Sequence, residues 1–286
     1  MGKMGRNSNR NRGTGIGDDD IGTAKLIEKF DRLVEKKGIT IRDADNFKVM
    51  ENVFDDQTLL ALYKLVNKGK ISEIGGSIST GKEANVFYAE DGDGVAAALK
   101  IYRIQSANFN TMGEYMAGDP RFSSIRKSKK EFIFAWTKKE YANLIRARDA
   151  GINSPQAFFF DRNILLMEFC GDKETGAAYP QLRQAAADFT KSQGEEIYHA
   201  IIADMKTLFN KASLVHADLS EFNILFDGEK HIIIDMGQAV LPEHPGAVRY
   251  LIRDIKNINR FFSRFCEPLD DEEIFKDIVG TERMQP

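Results

Sequence analysis

Asp218, Asn223 and Asp235 have the types and spacing that could do chemistry. In LVHADLSEFNILFDGEKHIIIDMGQAV, residues 214–240, Asp218 stands five positions before Asn223, and Asp235 follows a β-branched apolar run. Two carboxylates and an amide oxygen suit a hard divalent cation such as magnesium. A chain that places such an ion could transfer a γ-phosphoryl group. That reaction needs few covalent participants, because charge spreads over the phosphate oxygens and must be neutralised where it develops. Four parts are required: a phosphate cover, a fixed cation, metal-binding oxygens and an oriented nucleophile. The cover is STGKEAN, where Ser79, Thr80 and Gly81 let backbone amides approach phosphate, Lys82 adds charge and Glu83 completes the turn. It is not a Walker loop, lacking the GxxxxGK[ST] spacing and a following helix. The cation is Lys100 at the end of an apolar strand, where burial calls for a carboxylate partner, and Glu140 is the candidate. Asn223 and Asp235 are the candidates for the metal-binding oxygens, and Asp218 is the candidate to accept or orient the substrate hydroxyl proton.

The elements that must position these groups follow from periodicity. Residues 1–20 are Gly, Asn and Arg rich with almost no apolar side chains, and are expected to be a disordered tail. Helical spacing over 23–37 and 56–69 predicts an N-terminal flank across 21–70, with Asp56 as a cap and Gly69 as a stop. ISEIGGSIS, ANVFYAED and VAAALKIYR read as three antiparallel strands over 71–103. Residues 105–130 read as a polar, irregular insertion. A helix follows to Gly151, then the strand pair FFFDRNILLMEF, the long helix GEEIYHAIIADMKTLFNKA, two short strands around the acidic motifs, and a helix from Val248. The acidic end after Glu267 is open between packing and fraying.

Composition bounds the rest. With 286 residues, 42% of them hydrophobic, the chain can bury the core of one domain or of two lobes. A net charge of −3 gives no global field for DNA or a membrane surface. No apolar run is long enough to span a bilayer. Two cysteines without CxxC spacing fit a reducing, cytoplasmic setting, and the four scattered histidines have no zinc spacing.

The motifs also match a pattern. HADLSEFN reproduces the offsets of the protein-kinase catalytic loop H-R-D-L-x-x-x-N, and Asp235-Met-Gly stands where those enzymes carry D-F-G, with Gly237 expected to permit a sharp turn. Lys100 and Glu140 resemble their strand-lysine and helix-glutamate pair. With GSISTGKEANVFYA, LLMEF, LVHADLSEFNIL and IIIDMGQAV joined in order, the chain resembles the RIO atypical serine/threonine protein kinases, specifically the type-one branch. The resemblance implies an α+β, trimmed bilobal kinase fold with an antiparallel sheet in an N-lobe over 71–169, a mostly helical C-lobe over 170–286, and extra N-terminal helices. It implies ATP with Mg²⁺ or Mn²⁺, transfer to serine including autophosphorylation, and work on small-ribosomal-subunit precursors. Met167 would gate the adenine pocket, the backbones of Glu168 and Cys170 would address the base, and Ile78, Val86 and Ala98 would line its apolar part. Among the serines of the insertion, Ser123, Ser124 and Ser128, Ser128 is the first choice for autophosphorylation.

Departures from ordinary kinases shape the alternatives. Ser220 replaces the usual lysine two places after Asp218, and no A-P-E or peptide-docking subdomain follows Gly237. One alternative is an ATPase-type ribosome assembly factor working through a transient phosphate on Asp235. Another is a small-molecule phosphotransferase, which would need a larger helical region at the C-terminal end.

Overall fold

A computed structural model describes residues 56–104, 109–122 and 128–280, with scattered positions between 25 and 41. The tail expected over 1–20, Ser123 and Ser124 lie outside the described residues. Of the first expected helix, Lys25, Glu28, Lys29, Arg32 and Lys36 are helical and exposed.

The N-lobe is a six-stranded sheet in the order β1-β2-β3-β4-β6-β5. Its strands are β1 (Thr40–Ile41), β2 (Ile71–Thr80), β3 (Ala84–Asp91), β4 (Ala96–Tyr102), β5 (Ala157–Asp161) and β6 (Ile164–Glu168). β1 runs parallel to β2, and the other pairs are antiparallel. β4 lies at the centre, and all seven of its residues are buried, which explains the unbroken apolar run around Lys100. β3 alternates, burying Asn85, Phe87 and Ala89 on one face. Helix α1 (Asp56–Asn67) packs Leu59, Leu62, Leu65 and Val66 onto Ile74, Phe87, Leu99 and Leu166 of that sheet. The second helix expected in a separate flank therefore belongs to the N-lobe core. It ends as predicted at Gly69, whose φ of 63° is left-handed, with Lys70 N–H bonded to the Leu65 carbonyl.

The expected irregular insertion contains a helix, α2 (Phe109–Met116), and a 3₁₀ turn at Pro120–Phe122. Met112, Tyr115 and Met116 are buried in the main core, with the Tyr115 ring 5.0 Å from Tyr250. The helical spacing of Phe109, Met112 and Met116 was the available signal, and the polar residues around it obscured it. Helix α3 (Lys129–Asp149) then crosses behind the sheet, started by the Ser128 side chain, which accepts the Glu131 N–H at 3.3 Å.

The C-lobe holds a short helix α4 (Leu182–Ala185), the long α5 (Lys191–Asn210), the ribbon of β7 (Ile224–Phe226) and β8 (His231–Ile233), α6 (Ala247–Phe262) and α7 (Asp271–Val279). The acidic end packs as α7. Asp270 caps it, and Ile274 and Ile278 bury against the main core.

Candidate active site

A cavity of about 860 Å³ lies between the lobes. The turn between β2 and β3 covers it, closed by Gly81 N–H bonding to the Ala84 carbonyl at 2.9 Å. Ile78, Ser79, Gly81, Lys82, Glu83, Val86, Ala98, Lys100, Met167, Glu168, Cys170, Asn223 and Asp235 all line it. Thr80 does not. Its hydroxyl lies 3.2 Å from that of Ser77 on the outer side of the turn, so the hydroxyl contribution expected of it falls to Ser79. The Glu168 N–H is taken by the Gln156 carbonyl at 2.8 Å, so Glu168 can address a base only through its own carbonyl. Burial pushes the Cys170 thiol up to about 12, so its sulfur is inert.

The cation is held from two sides. Lys100 Nζ donates to Glu140 Oε1 at 2.7 Å and to Asp235 Oδ1 at 3.0 Å. The Tyr102 hydroxyl donates to the other oxygen of Glu140. The Lys100 and Glu140 side chains are 9% and 1% exposed, whereas that of Asp235 is 43% exposed. Hence one end of the network is sealed, and the other opens toward the cavity. Burial alone would push the Lys100 ammonium down, but Asp235 and Glu140 outweigh it and hold it well above the usual range. For Asp235, burial raises and Lys100 lowers, and the lysine wins, so the carboxylate stays ionised.

Asp218 does not itself line the cavity; it is joined to two residues that do, Asn223 and Gln238. Asn223 Nδ2 donates to the Asp218 carbonyl at 2.8 Å and to its Oδ2 at 3.1 Å, which leaves the amide oxygen as the end of Asn223 able to meet a cation. Burial and the Asp235 charge raise the Asp218 carboxyl. The same two influences raise Glu83. Carboxylates that repel one another in a cavity are stabilised by a divalent ion. Among the described residues no three His, Cys, Asp or Glu side chains group to hold a metal by themselves. One or two carboxylates plus substrate phosphates are the usual magnesium set, so Asp235 and Asn223 fit an ion that arrives with a triphosphate.

Sequence reasoning missed the residues that hold this geometry. Asp254 on α6 is 1% exposed and accepts the backbone N–H of Ala217 at 2.7 Å and of Leu219 at 3.0 Å. Ala217, at φ 65°, is thereby kept in the left-handed region beside Asp218. Lys139, buried on α3, donates to the carbonyls of Gly237 at 2.7 Å and Ala239 at 2.6 Å, and Asn143 donates to those of Met236 and Ala239. Gln238 donates to Asp218 Oδ2 at 3.1 Å. Only a buried lysine beside Glu140 gave a local hint. The expectation for Gly237 also changes. The left-handed residue is Asp235 at φ 62°, and Gly237 is required for space, since a Cβ there would lie 3.0 Å from Trp136 Nε1. His216 braces the loop, Nε2 lying 3.0 Å from the Ile234 carbonyl, and burial lowers its pKa.

A strand lysine paired with a helix glutamate, an aspartate–asparagine loop and a metal aspartate, set between a sheet lobe and a helical lobe, define a protein-kinase-type phosphotransferase. Residues 85–274 match the RIO domain, and the chain belongs to that family of serine/threonine-protein kinases. It is 38% identical over 267 residues to the RIO-type serine/threonine-protein kinase Rio1 of Haloferax volcanii, covering 93% of this chain and 89% of that one. To the Methanocaldococcus jannaschii protein of the same name it is 37% identical, covering 83% and 79%. To human serine/threonine-protein kinase RIO1 it is 36% identical over 84% of this chain, spanning 42% of the human protein. Its fold resembles the crystal structure of the Rio2 kinase-ADP/Mg²⁺-phosphoaspartate complex from Chaetomium thermophilum, with a TM-score of 0.59 at 24% identity over 77% of this chain and 66% of that chain.

Proposed function

We propose that this chain transfers the γ-phosphate of ATP, bound with Mg²⁺ or Mn²⁺, to serine. The observation that carries the proposal is the buried Lys100, tied at once to Glu140 and to the half-open Asp235, with the Asp218–Asn223 pair joined to the residue before Asp235 by the Ile234 N–H to Asn223 carbonyl bond at 3.0 Å. Ser79, Gly81 and Lys82 cover the phosphates. Met167, Ile78, Val86 and Ala98 enclose the base, with the Glu168 carbonyl and the Cys170 N–H at its edge. Asp235 and Asn223 would hold the divalent ion, which would supply neutralising charge to the triphosphate. Asp218 receives the seryl proton.

Ser128 is the proposed autophosphorylation site. It is exposed at the start of α3, where the helix dipole favours a phosphate, and it lies among Arg and Lys residues. The acceptor in the cell is proposed to belong to a small-subunit ribosomal precursor, on the strength of the family resemblance, and the setting to be the cytoplasm, on the strength of two cysteines without CxxC spacing. A second reading follows from Asp235, whose exposed carboxylate could itself take the phosphate in an ATPase cycle. The match of residues 85–274 to the RIO domain favours a protein kinase over the small-molecule alternative.

Incubation of the purified chain with γ-labelled ATP and Mg²⁺ tests these readings. Phosphoserine that maps to Ser128 and vanishes in Asp218→Ala supports transfer to serine. A hydroxylamine-labile phosphate with release of free phosphate supports the ATPase cycle. Absence of both overturns the phosphotransferase assignment.

A further inference from the structure

The two oxygens of Asp218 are held unequally. Oδ2 accepts Asn223 Nδ2 at 3.1 Å and also Gln238 Nε2 at 3.1 Å. Both donors line the cavity, yet they come from different segments, Asn223 from the catalytic loop and Gln238 from the turn after Asp235. Two N–H donors on one oxygen fix the plane of the carboxylate and make that oxygen the less basic of the pair. The turn that carries Gln238 is itself fixed, since Lys139 and Asn143 hold the carbonyls of Gly237 and Ala239 on either side of it. Ser220, two places after Asp218, has too short a side chain to supply a long donor there.

We infer that Gln238 is a positioning residue for the transfer: it holds Asp218 Oδ2 so that Oδ1 meets the acceptor hydroxyl, supplying the orienting donor that Ser220 cannot. In the step it serves, the seryl oxygen forms its bond to the γ-phosphorus as the bond from that phosphorus to the β,γ-bridging oxygen breaks. The electron pair leaves with ADP, and the hydroxyl proton passes to Asp218 Oδ1. This assignment rests on the phosphoryl-transfer reading above, and it links the metal aspartate's turn to the orientation of the base.

The test compares the full chain with Gln238→Met, which keeps the length without a donor, and Gln238→Glu, each alone and combined with Asp218→Asn. Transfer to serine is followed with labelled ATP, alongside melting temperatures. Either single variant is expected to lose roughly 10- to 100-fold in kcat while KM for ATP stays within about twofold. With Asp218→Asn already present, adding either change is expected to alter the residual rate by less than about twofold, because no carboxylate remains to be oriented. Wild-type kcat in both variants, a loss carried by KM for ATP, or the same fold-loss in both backgrounds would overturn the inference. A wild-type chain that transfers no phosphate would instead overturn the reading beneath it.

Discussion

At the scale of single residues, Lys100 keeps its proton in a site where burial opposes charge, and it does so because two carboxylates share it. Lys100→Met should therefore act twice. Transfer should fall by about 10²- to 10³-fold through loss of phosphate alignment. Stability should fall by roughly 3–5 kcal/mol, because Glu140 would be left as an uncompensated buried charge. Activity assays and urea denaturation read the two effects separately, and a fully stable Lys100→Met would contradict the account of the buried pair. His216 makes a useful contrast with Asp235. His216→Ala removes one brace to the Ile234 carbonyl and should leave measurable transfer, whereas Asp235→Ala should abolish it. Equal losses in the two variants would give His216 a direct part in the chemistry.

At the scale of elements, helix α3 is the strut of the site. One turn of it supplies Glu140 to the lysine, Lys139 to the turn after Asp235, and Asn143 to the same turn. Gly237 lies where that turn passes Trp136 of α3 and Tyr102 of β4. In Gly237→Ala the new Cβ would stand 3.0 Å from Trp136 Nε1 and 3.2 Å from the Tyr102 oxygen. Either those side chains or the turn must then give by a few tenths of an ångström; a shift of the turn would disturb the carbonyls that Lys139 and Asn143 hold, and kcat should drop with little change in melting temperature. Gly194→Ala probes packing remote from the chemistry. Its Cβ would lie 2.5 Å from Phe265 Cγ, so α5 would be forced off the segment after α6. A destabilisation of about 1–3 kcal/mol is expected, with kcat preserved at temperatures where the variant is folded. If kcat fell instead, α5 would be coupled to the site.

At the scale of the whole molecule, two buried groups set opposite pH dependences. Burial raises Asp254 from 3.8 to about 8, against the pull of its two N–H donors. The folded chain then holds a proton that the unfolded chain has released, so this group's contribution to stability is present at low pH and is lost as pH rises from about 4 through about 8. Burial lowers Lys139 from 10.5 to about 7. Here the unfolded chain holds the extra proton, so the cost is complete below about 7 and is relieved as pH climbs toward 10.5. Between about pH 5 and about pH 7 the Asp254 contribution dominates, and wild-type stability should decline. Asp254→Asn should flatten that decline, measured as urea midpoints across the range, and should also slow transfer, because the amide cannot accept from both Ala217 and Leu219. An unchanged slope would mean that Asp254 is ionised in the fold.

The chemical inventory and its order along the chain were legible in the sequence, because phosphate covers, metal carboxylates and strand periodicity are encoded over a few neighbouring residues. The two strand groups of the N-lobe, the stops at Gly69 and Gly151, and the spacing of Asp218 and Asn223 are local facts of that kind. Helix α2, the docking of α1 into the N-lobe, and the anchors Asp254, Lys139 and Gln238 were decided by the tertiary structure. Asp254 meets Ala217 across 37 positions, and Lys139 meets Gly237 across 98. No local pattern specifies such pairs. A buried polar group is tolerated only where its partner arrives, and that arrival is settled when the lobes pack together.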